Sequence, residues 1–210
     1  MSAAPILVEP FEEPERQREA MVFGLWLFLA TEILFFGGFF FLYAVARMQD
    51  PDGFARGGAH ANLLLGTINT ILLMTSSATL TIAERAARDG WMRAARWGII
   101  FTLMLGTAFL VVKGFEYRED LAEHLFPAAP DFSFAGETGA TRFWSFYWFI
   151  TLVHAIHLTI GLGCVARLLW LERQGTLARR WMVAEVTTLY WHLVDIVWLL
   201  LWPLLYLVGR

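Results

Sequence analysis

Residues 21–45 read MVFGLWLFLATEILFFGGFFFLYAV, and among these 25 positions Glu32 alone carries a side chain of the Asp, Glu, Lys or Arg type. A helix rises about 1.5 Å per residue, so about 20 apolar residues cross the roughly 30 Å hydrocarbon core of a bilayer. This run is long enough to do so, and it is closed by Arg47 and the turn-forming Asp50-Pro51-Asp52-Gly53. Four further runs of the same kind follow. Helices are expected over about 21–46, 62–84, 91–117, 142–171 and 180–208. The fold class is therefore all-α: a polytopic membrane helix bundle of five transmembrane helices, with no soluble domain.

The segments between the runs fit that reading. Glu84, Arg85, Arg88 and Asp89 with Gly90 make one polar turn, and Glu172-Arg173-Gln174-Gly175 makes another. The longest connection, 118–141, holds Pro127, Pro130, Gly136 and Gly139 and is expected to be a water-exposed loop. Trp91, Trp97, Trp144, Trp148, Trp181 and Tyr206 fall near the expected helix ends, where aromatic belts form.

Composition narrows the function classes. Of 210 residues, 58% are hydrophobic and 17% charged, and the net charge is −3, with basic residues scattered between apolar runs; this excludes a nucleic-acid surface. Cys164 is the sole cysteine, which excludes an internal disulfide and any thiolate metal cluster. Residues 1–20 hold Glu9, Glu12, Glu13, Glu15 and Glu19 against Arg16 and Arg18, the opposite of a basic signal-peptide start. They read as an acidic amino-terminal tail ahead of a membrane domain over 21–210, whose first helix is expected to remain in the mature chain.

Basic residues also orient the bundle. Arg16, Arg18, Arg85, Arg88, Arg93, Arg96, Arg173, Arg179 and Arg180 fall on one side, and Arg47, Arg56, Arg118, Arg142 and Arg210 on the other. The positive-inside rule then puts the amino terminus in the cytoplasm and the carboxyl terminus outside.

Ionisable groups at membrane depth are costly, roughly 2.5–3.5 kcal/mol near the centre on insertion scales, so they are expected to face the bundle interior. Glu32 has no basic residue at its depth on the same helix, so it is either protonated or hydrogen-bonded to a neighbouring helix. Asn69 begins a second-helix stretch rich in hydroxyls (Thr70, Thr75, Ser76, Ser77, Thr79), which reads as packing contacts between helices. Lys113 lies near the expected exit of the third helix and is placed to snorkel; Glu116 reads either as an ordinary boundary residue or as a member of the polar set. His154 and His157 project from one face of the fourth helix, and Glu185, His192 and Asp195 form a stripe on the fifth. The two stripes are expected to meet. They lack the repeated Glu-x-x-His of a di-metal bundle, so no metal site is assigned to this chain. No G-x-S-x-G, P-loop or H-E-x-x-H string occurs, so no catalytic residue is assigned either.

Five strings, in order, resemble subunit III of the haem-copper respiratory oxidases: Trp26-Leu27-Phe28-Leu29-Ala30-Thr31-Glu32-Ile33-Leu34-Phe35-Phe36; Asn69-Thr70 through Ser76-Ser77; Leu105-Gly106-Thr107-Ala108-Phe109 with Glu116-Tyr117; His154-Ala155-Ile156-His157-Leu158-Thr159-Ile160-Gly161; and Tyr190-Trp191-His192-Leu193-Val194-Asp195-Ile196-Val197-Trp198. The resemblance covers nearly all of the chain after its tail. It departs from the family's seven-helix form by lacking two helices before the Glu32 segment and is similar to five-helix bacterial members.

What the resemblance implies is a non-redox subunit of a terminal oxidase of the cytochrome c oxidase type, in a bacterial inner membrane. It would bind subunit I, and subunit II in addition, support proton uptake, and bind phospholipid, with haem and copper held by the partner. Quinol oxidases and a nitric-oxide-reductase accessory protein are the family's alternatives. Glu32 would be a buried carboxyl with a structural or proton-related role. Asn69, Glu116, His154, His157, Glu185, His192 and Asp195 would form a polar network, the last five tying the final two helices together.

Overall fold

The computed structural model describes residues 13–209, in the order α1 Pro14–Gln49, α2 Pro51–Gly58, α3 Leu63–Arg88, α4 Met92–Ala122, α5 Thr138–Arg173, a 3-10 turn Leu177–Arg180 and α6 Trp181–Tyr206. Five of these helices, all but α2, are long and apolar enough to span a membrane. Each expected span has its helix, and the boundaries differ in ways that matter for the site. Helix α1 starts at Pro14, inside the stretch read as an acidic tail; residues 1–12 of that tail lie outside the described residues. Helix α4 continues to Ala122, past the end expected at 117, and α5 begins at Thr138, ahead of 142.

The expected turn at 50–53 is instead the start of a short helix. Pro51 occupies its first turn, where a missing N–H costs nothing, and Asp50 accepts the Gly53 N–H at 2.9 Å. Phe54 of α2 is fully buried and packs edge-on against Phe143 at the start of α5.

Helix α6 is the axis of the bundle: 56% of its most apolar window is enclosed, against 17% for α1. It packs against α3, α5 and α1, while α4 packs against α3 and α5. Lipid chains are as apolar as Leu, so helices associate through close packing and interhelical hydrogen bonds. Both are present here. A Cβ on Gly98 of α4 would lie 2.8 Å from Ala83 of α3, and in the same contact Thr79 and Thr102 hydroxyls are 2.8 Å apart. Trp191 of α6 is fully buried because Gly106 and Gly161 leave room for its indole, whose N–H donates to Ser76 at 3.0 Å.

Helix α1 is the outlying element. Leu25, Leu29, Phe36 and Tyr43, at steps of four and seven, form its buried seam, while Trp26, Leu34 and Phe41 on other faces are more than half exposed. The aromatic belt also needs revision. Trp91 and Trp97 are exposed at the start of α4, but Trp144 and Tyr206 are fully buried core residues.

Candidate functional site

The buried positions of α4 run Ala95, Ile99, Thr102, Gly106, Phe109, Lys113, Glu116 and Asp120. The steps of three and four continue without a break from apolar residues into charged ones, so the side chains that face the core at that end are an ammonium and two carboxyls. Lys113 is 2% exposed, Glu116 0% and Asp120 4%. Lys113 therefore does not snorkel, and Glu116 is no boundary residue: α4 runs on past both, and its seam points them inward.

Two phenols complete the cluster, Tyr147 from α5 and Tyr206 from the last turn of α6. Lys113 Nζ donates to Glu116 Oε2 at 3.1 Å, to Tyr147 Oη at 2.9 Å and to Tyr206 Oη at 2.9 Å. Tyr206 donates to Glu116 Oε1 at 2.7 Å, and Tyr147 Oη lies 2.8 Å from both Glu116 Oε1 and Asp120 Oδ2. Tyr117, one residue after Glu116, donates to Thr151 on α5 at 2.9 Å.

One turn further into the membrane, His154 is 1% exposed, with its ring 5.0 Å from that of Trp198 and 5.7 Å from that of Phe109. Neither ring nitrogen has a hydrogen-bond partner among the described residues, and the same holds for the fully buried amide of Asn69. Asn69 thus stands outside any direct side-chain network, in contrast to the role given it by resemblance.

His157 turns to α1. Its Nδ1 donates to the Val153 carbonyl at 2.9 Å, and its Nε2 lies 3.1 Å from Glu32 Oε2. The approach is a close ion-pair contact without hydrogen-bond geometry, since Glu32 Oε2 has no hydrogen-bond partner among the described residues. Glu32 follows the buried seam of α1, three residues after Leu29 and four before Phe36, which aims it at α5.

The stripe on α6 goes elsewhere again. His192 meets α3: its Nδ1 is 2.6 Å from the Ser77 hydroxyl and its Nε2 3.3 Å from that of Thr81. Asp195, 4% exposed, lies 4.0 Å from His192 Nδ1, and neither of its carboxyl oxygens has a hydrogen-bond partner among the described residues. Glu185 is at the far end of the helix, where Arg18 of α1 grips it at 3.0 and 2.5 Å and Arg88 of α3 approaches to 3.9 Å. The two stripes therefore do not meet. His157, His192 and Glu185 tie α5 to α1, α6 to α3, and α6 to α1, because side chains a few residues apart on one helix reach different neighbours in a bundle.

Among the described residues, no group of three or more His, Cys, Asp and Glu side chains is arranged to hold a metal ion. The model of the family described as cytochrome c oxidase subunit III matches residues 14–210. The chain belongs to this family. It is 28% identical over 202 residues to the quinol oxidase subunit 3 of Bacillus spizizenii, covering 95% of this chain and 93% of that protein. It is 32% identical to the cytochrome c oxidase subunit 3 of Synechocystis sp., covering 89% of this chain and 75% of that one. A third relative, the heme-copper oxidase subunit I+III of Aeropyrum pernix, is 31% identical over 88% of this chain and only 22% of its own length.

Membership of the subunit III family makes the chain a multi-pass membrane subunit of the haem-copper oxidases, an oxidoreductase class. Of the cluster residues, Asp120 and Tyr147 carry no expectation from the sequence, whereas Lys113 is expected to snorkel and Tyr206 to sit in an aromatic belt. For the three on α4 a signal existed: Lys113, Glu116 and Asp120 extend the Ala95 to Phe109 register, and a helix end set beyond 117 would have placed all three in the core.

Proposed function

We propose that this chain is the non-redox subunit III of a terminal oxidase of the cytochrome c oxidase type, bound to the side of catalytic subunit I and touching subunit II. The observation that carries the reading is that most ionisable groups at membrane depth face a partner on a neighbouring helix, with His154 and Asp195 the exceptions. His157 faces Glu32, His192 faces Ser77, and Lys113 and Glu116 satisfy each other together with two phenols. Such groups hold helices together, and haem and copper belong to the partner. Fusion of subunits I and III in the Aeropyrum relative supports subunit I as the neighbour. By steadying that neighbour the chain supports proton uptake and proton translocation without a catalytic centre of its own.

The orientation follows from the arginines: the amino terminus is cytoplasmic and the carboxyl terminus periplasmic, in a bacterial inner membrane. A half-open cavity of about 330 Å³ lies between the start of α1, α5 and the start of α6, lined by Met21, Cys164, Val183 and Val186 with Arg167 and Arg180. Apolar walls with guanidinium groups at a helix end suit one phospholipid, chains inward and phosphate at the arginines.

Affinity purification of the tagged chain from native membranes is expected to bring down a larger haem-copper chain with a reduced-minus-oxidised haem spectrum. Purification of the chain alone, with oxidase activity unchanged in a deletion strain, would overturn the assignment. The Bacillus relative favours a second reading, a quinol oxidase. The isolated complex separates the two by oxidising either reduced cytochrome c or quinol.

A further inference from the structure

The hydrogen bonds of the Lys113 cluster leave a proton to be placed. A protonated lysine has three N–H donors and no acceptor, and a phenol has one O–H donor and two acceptor lone pairs. Lys113 uses all three donors, on Glu116 Oε2, Tyr147 Oη and Tyr206 Oη. Tyr206 uses its single hydrogen on Glu116 Oε1. Tyr147 Oη has one hydrogen left to give, yet it lies 2.8 Å from Glu116 Oε1 and 2.8 Å from Asp120 Oδ2. One hydrogen cannot fill both contacts, and two bare acceptor oxygens would leave one of them repulsive.

Glu116 is the group surrounded by donors: its two oxygens face the ammonium and two phenols. Asp120 Oδ2 has Tyr147 as its neighbour and can close the network by donating to the second lone pair of Tyr147 Oη. Every donor then has an acceptor. The charges also cancel, with one ammonium, one carboxylate and one neutral acid in a volume where no member is more than 4% exposed.

We propose that Asp120 is a proton-binding site, holding one proton that it donates to Tyr147 and exchanging it with water at the end of α4 where the 123–137 connection begins. The ligand is a proton, and the site is built by three helices. Asp120 is two residues from the end of α4 at Ala122 and is the most exposed of the cluster's carboxyls. The groups facing it are Lys113, Glu116 and Tyr117 on its own helix, Tyr147 on α5, Tyr206 on α6 and Glu123 just beyond α4. Glu123 has His60, from the segment before α3, at 3.7 Å. Because Glu116 is the counter-ion of Lys113 and Asp120 is a neutral acid, the two carboxyls respond oppositely to amide replacement. Asn at 120 supplies an N–H to the same phenol oxygen without altering the charge, whereas Gln at 116 strips the ammonium of its anion.

Infrared spectroscopy on the purified oxidase complex containing this chain reads the proton directly, because a carboxylic acid shows a carbonyl stretch that a carboxylate lacks and that shifts in heavy water. Comparing the wild type with Asp120→Asn, the variant is expected to lose one such band, and the wild-type band is expected to disappear reversibly as pH is raised. Asp120→Asn is further expected to keep wild-type levels of this chain in the complex, while Glu116→Gln lowers them at least several-fold. A spectrum unchanged in Asp120→Asn would overturn the proposal, as would a wild-type band that neither titrates nor shifts in heavy water. So would failure of Asp120→Asn to accumulate while Glu116→Gln accumulates normally, which would put the proton on Glu116.

Discussion

The two ends of the bundle use the same chemistry in different surroundings. At one end Lys113, Glu116 and Asp120 are at most 4% exposed. At the other, the carboxylates of Glu185 and Glu172 are enclosed, at 14% and 3% of their side chains, but the partners Arg18, Arg88 and Arg96 are 47%, 46% and 52% exposed. A guanidinium on a long stem keeps one side in water, so an arginine pair can loosen and water takes up the slack. The enclosed ammonium has no such recourse. Each of its donors must find a protein acceptor and its charge must be balanced on the spot, which is why the sealed end needs five side chains where the open end manages with a carboxylate and one or two arginines.

The largest effect expected from this contrast is that of Lys113→Met. It leaves the Glu116 carboxylate buried among phenols without its cation, and breaking a buried pair from one side costs about 3–5 kcal/mol. The purified complex should lose this chain at markedly lower temperature or detergent concentration than the wild type. Adding Glu116→Gln to Lys113→Met removes the orphaned charge and should recover much of the loss. A single variant as stable as the wild type, or a double variant no better than the single, would break the contrast between the sealed and the open end.

How far the sequence carries one towards this contrast differs between helices. Five crossings are legible from run length alone, since an apolar run of more than twenty residues has few other uses. Which face of a helix turns inward is harder. In α1 nearly every side chain is apolar all the way round, so nothing in the pattern separates the Leu25, Leu29, Phe36, Tyr43 seam from the exposed Trp26 and Leu34. The partner of Glu32 could not be named for that reason, although a bond to a neighbouring helix was one of the two readings open. In α4 the pattern did carry the answer, but an end placed at Tyr117 turned Lys113 into a boundary residue, and a boundary lysine snorkels. The expectation that the α5 and α6 stripes meet failed because stripe membership fixes an angle on one cylinder and leaves open which neighbour stands opposite. Asn69 and His154 were singled out as polar residues at depth, and their burial at 0% and 1% agrees with an inward-facing placement.

A middle-sized effect is expected where a single imidazole joins two helices, His192 of α6 meeting Ser77 and Thr81 of α3. His192→Leu removes the partner of Ser77 and an imidazole 4.0 Å from Asp195. Leaving fully buried polar atoms unmatched costs about 1–3 kcal/mol, and these half-buried groups belong at the low end of that range. Glu32→Gln keeps the size of the side chain and an amide able to meet His157 Nε2 across 3.1 Å, so it should cost less. The ratio of this chain to subunit I in the purified complex reads the ranking, and equal retention of both variants would remove it.

The smallest effect is expected at the open end, from Arg18→Ala. The contact it deletes has good geometry, two guanidinium nitrogens at 3.0 and 2.5 Å from the two oxygens of Glu185, which alone would argue for a strong tie between α1 and α6. Two features reduce it. Arg88 already lies 3.9 Å from the same carboxylate and stacks over Trp181 at 4.8 Å, so Glu185 is not left without a cation. Nearly half of the Arg18 side chain is in water, where exposed pairs contribute roughly 1 kcal/mol or less and are screened by salt. Thermal release of this chain should therefore shift by only a few degrees in Arg18→Ala, and the shift should shrink as ionic strength rises. A salt-insensitive loss as large as that of Lys113→Met would mean that the arginine end is as closed as the lysine end. Adding Arg88→Ala would then have little left to remove, whereas an open end predicts that the second deletion costs more than the first.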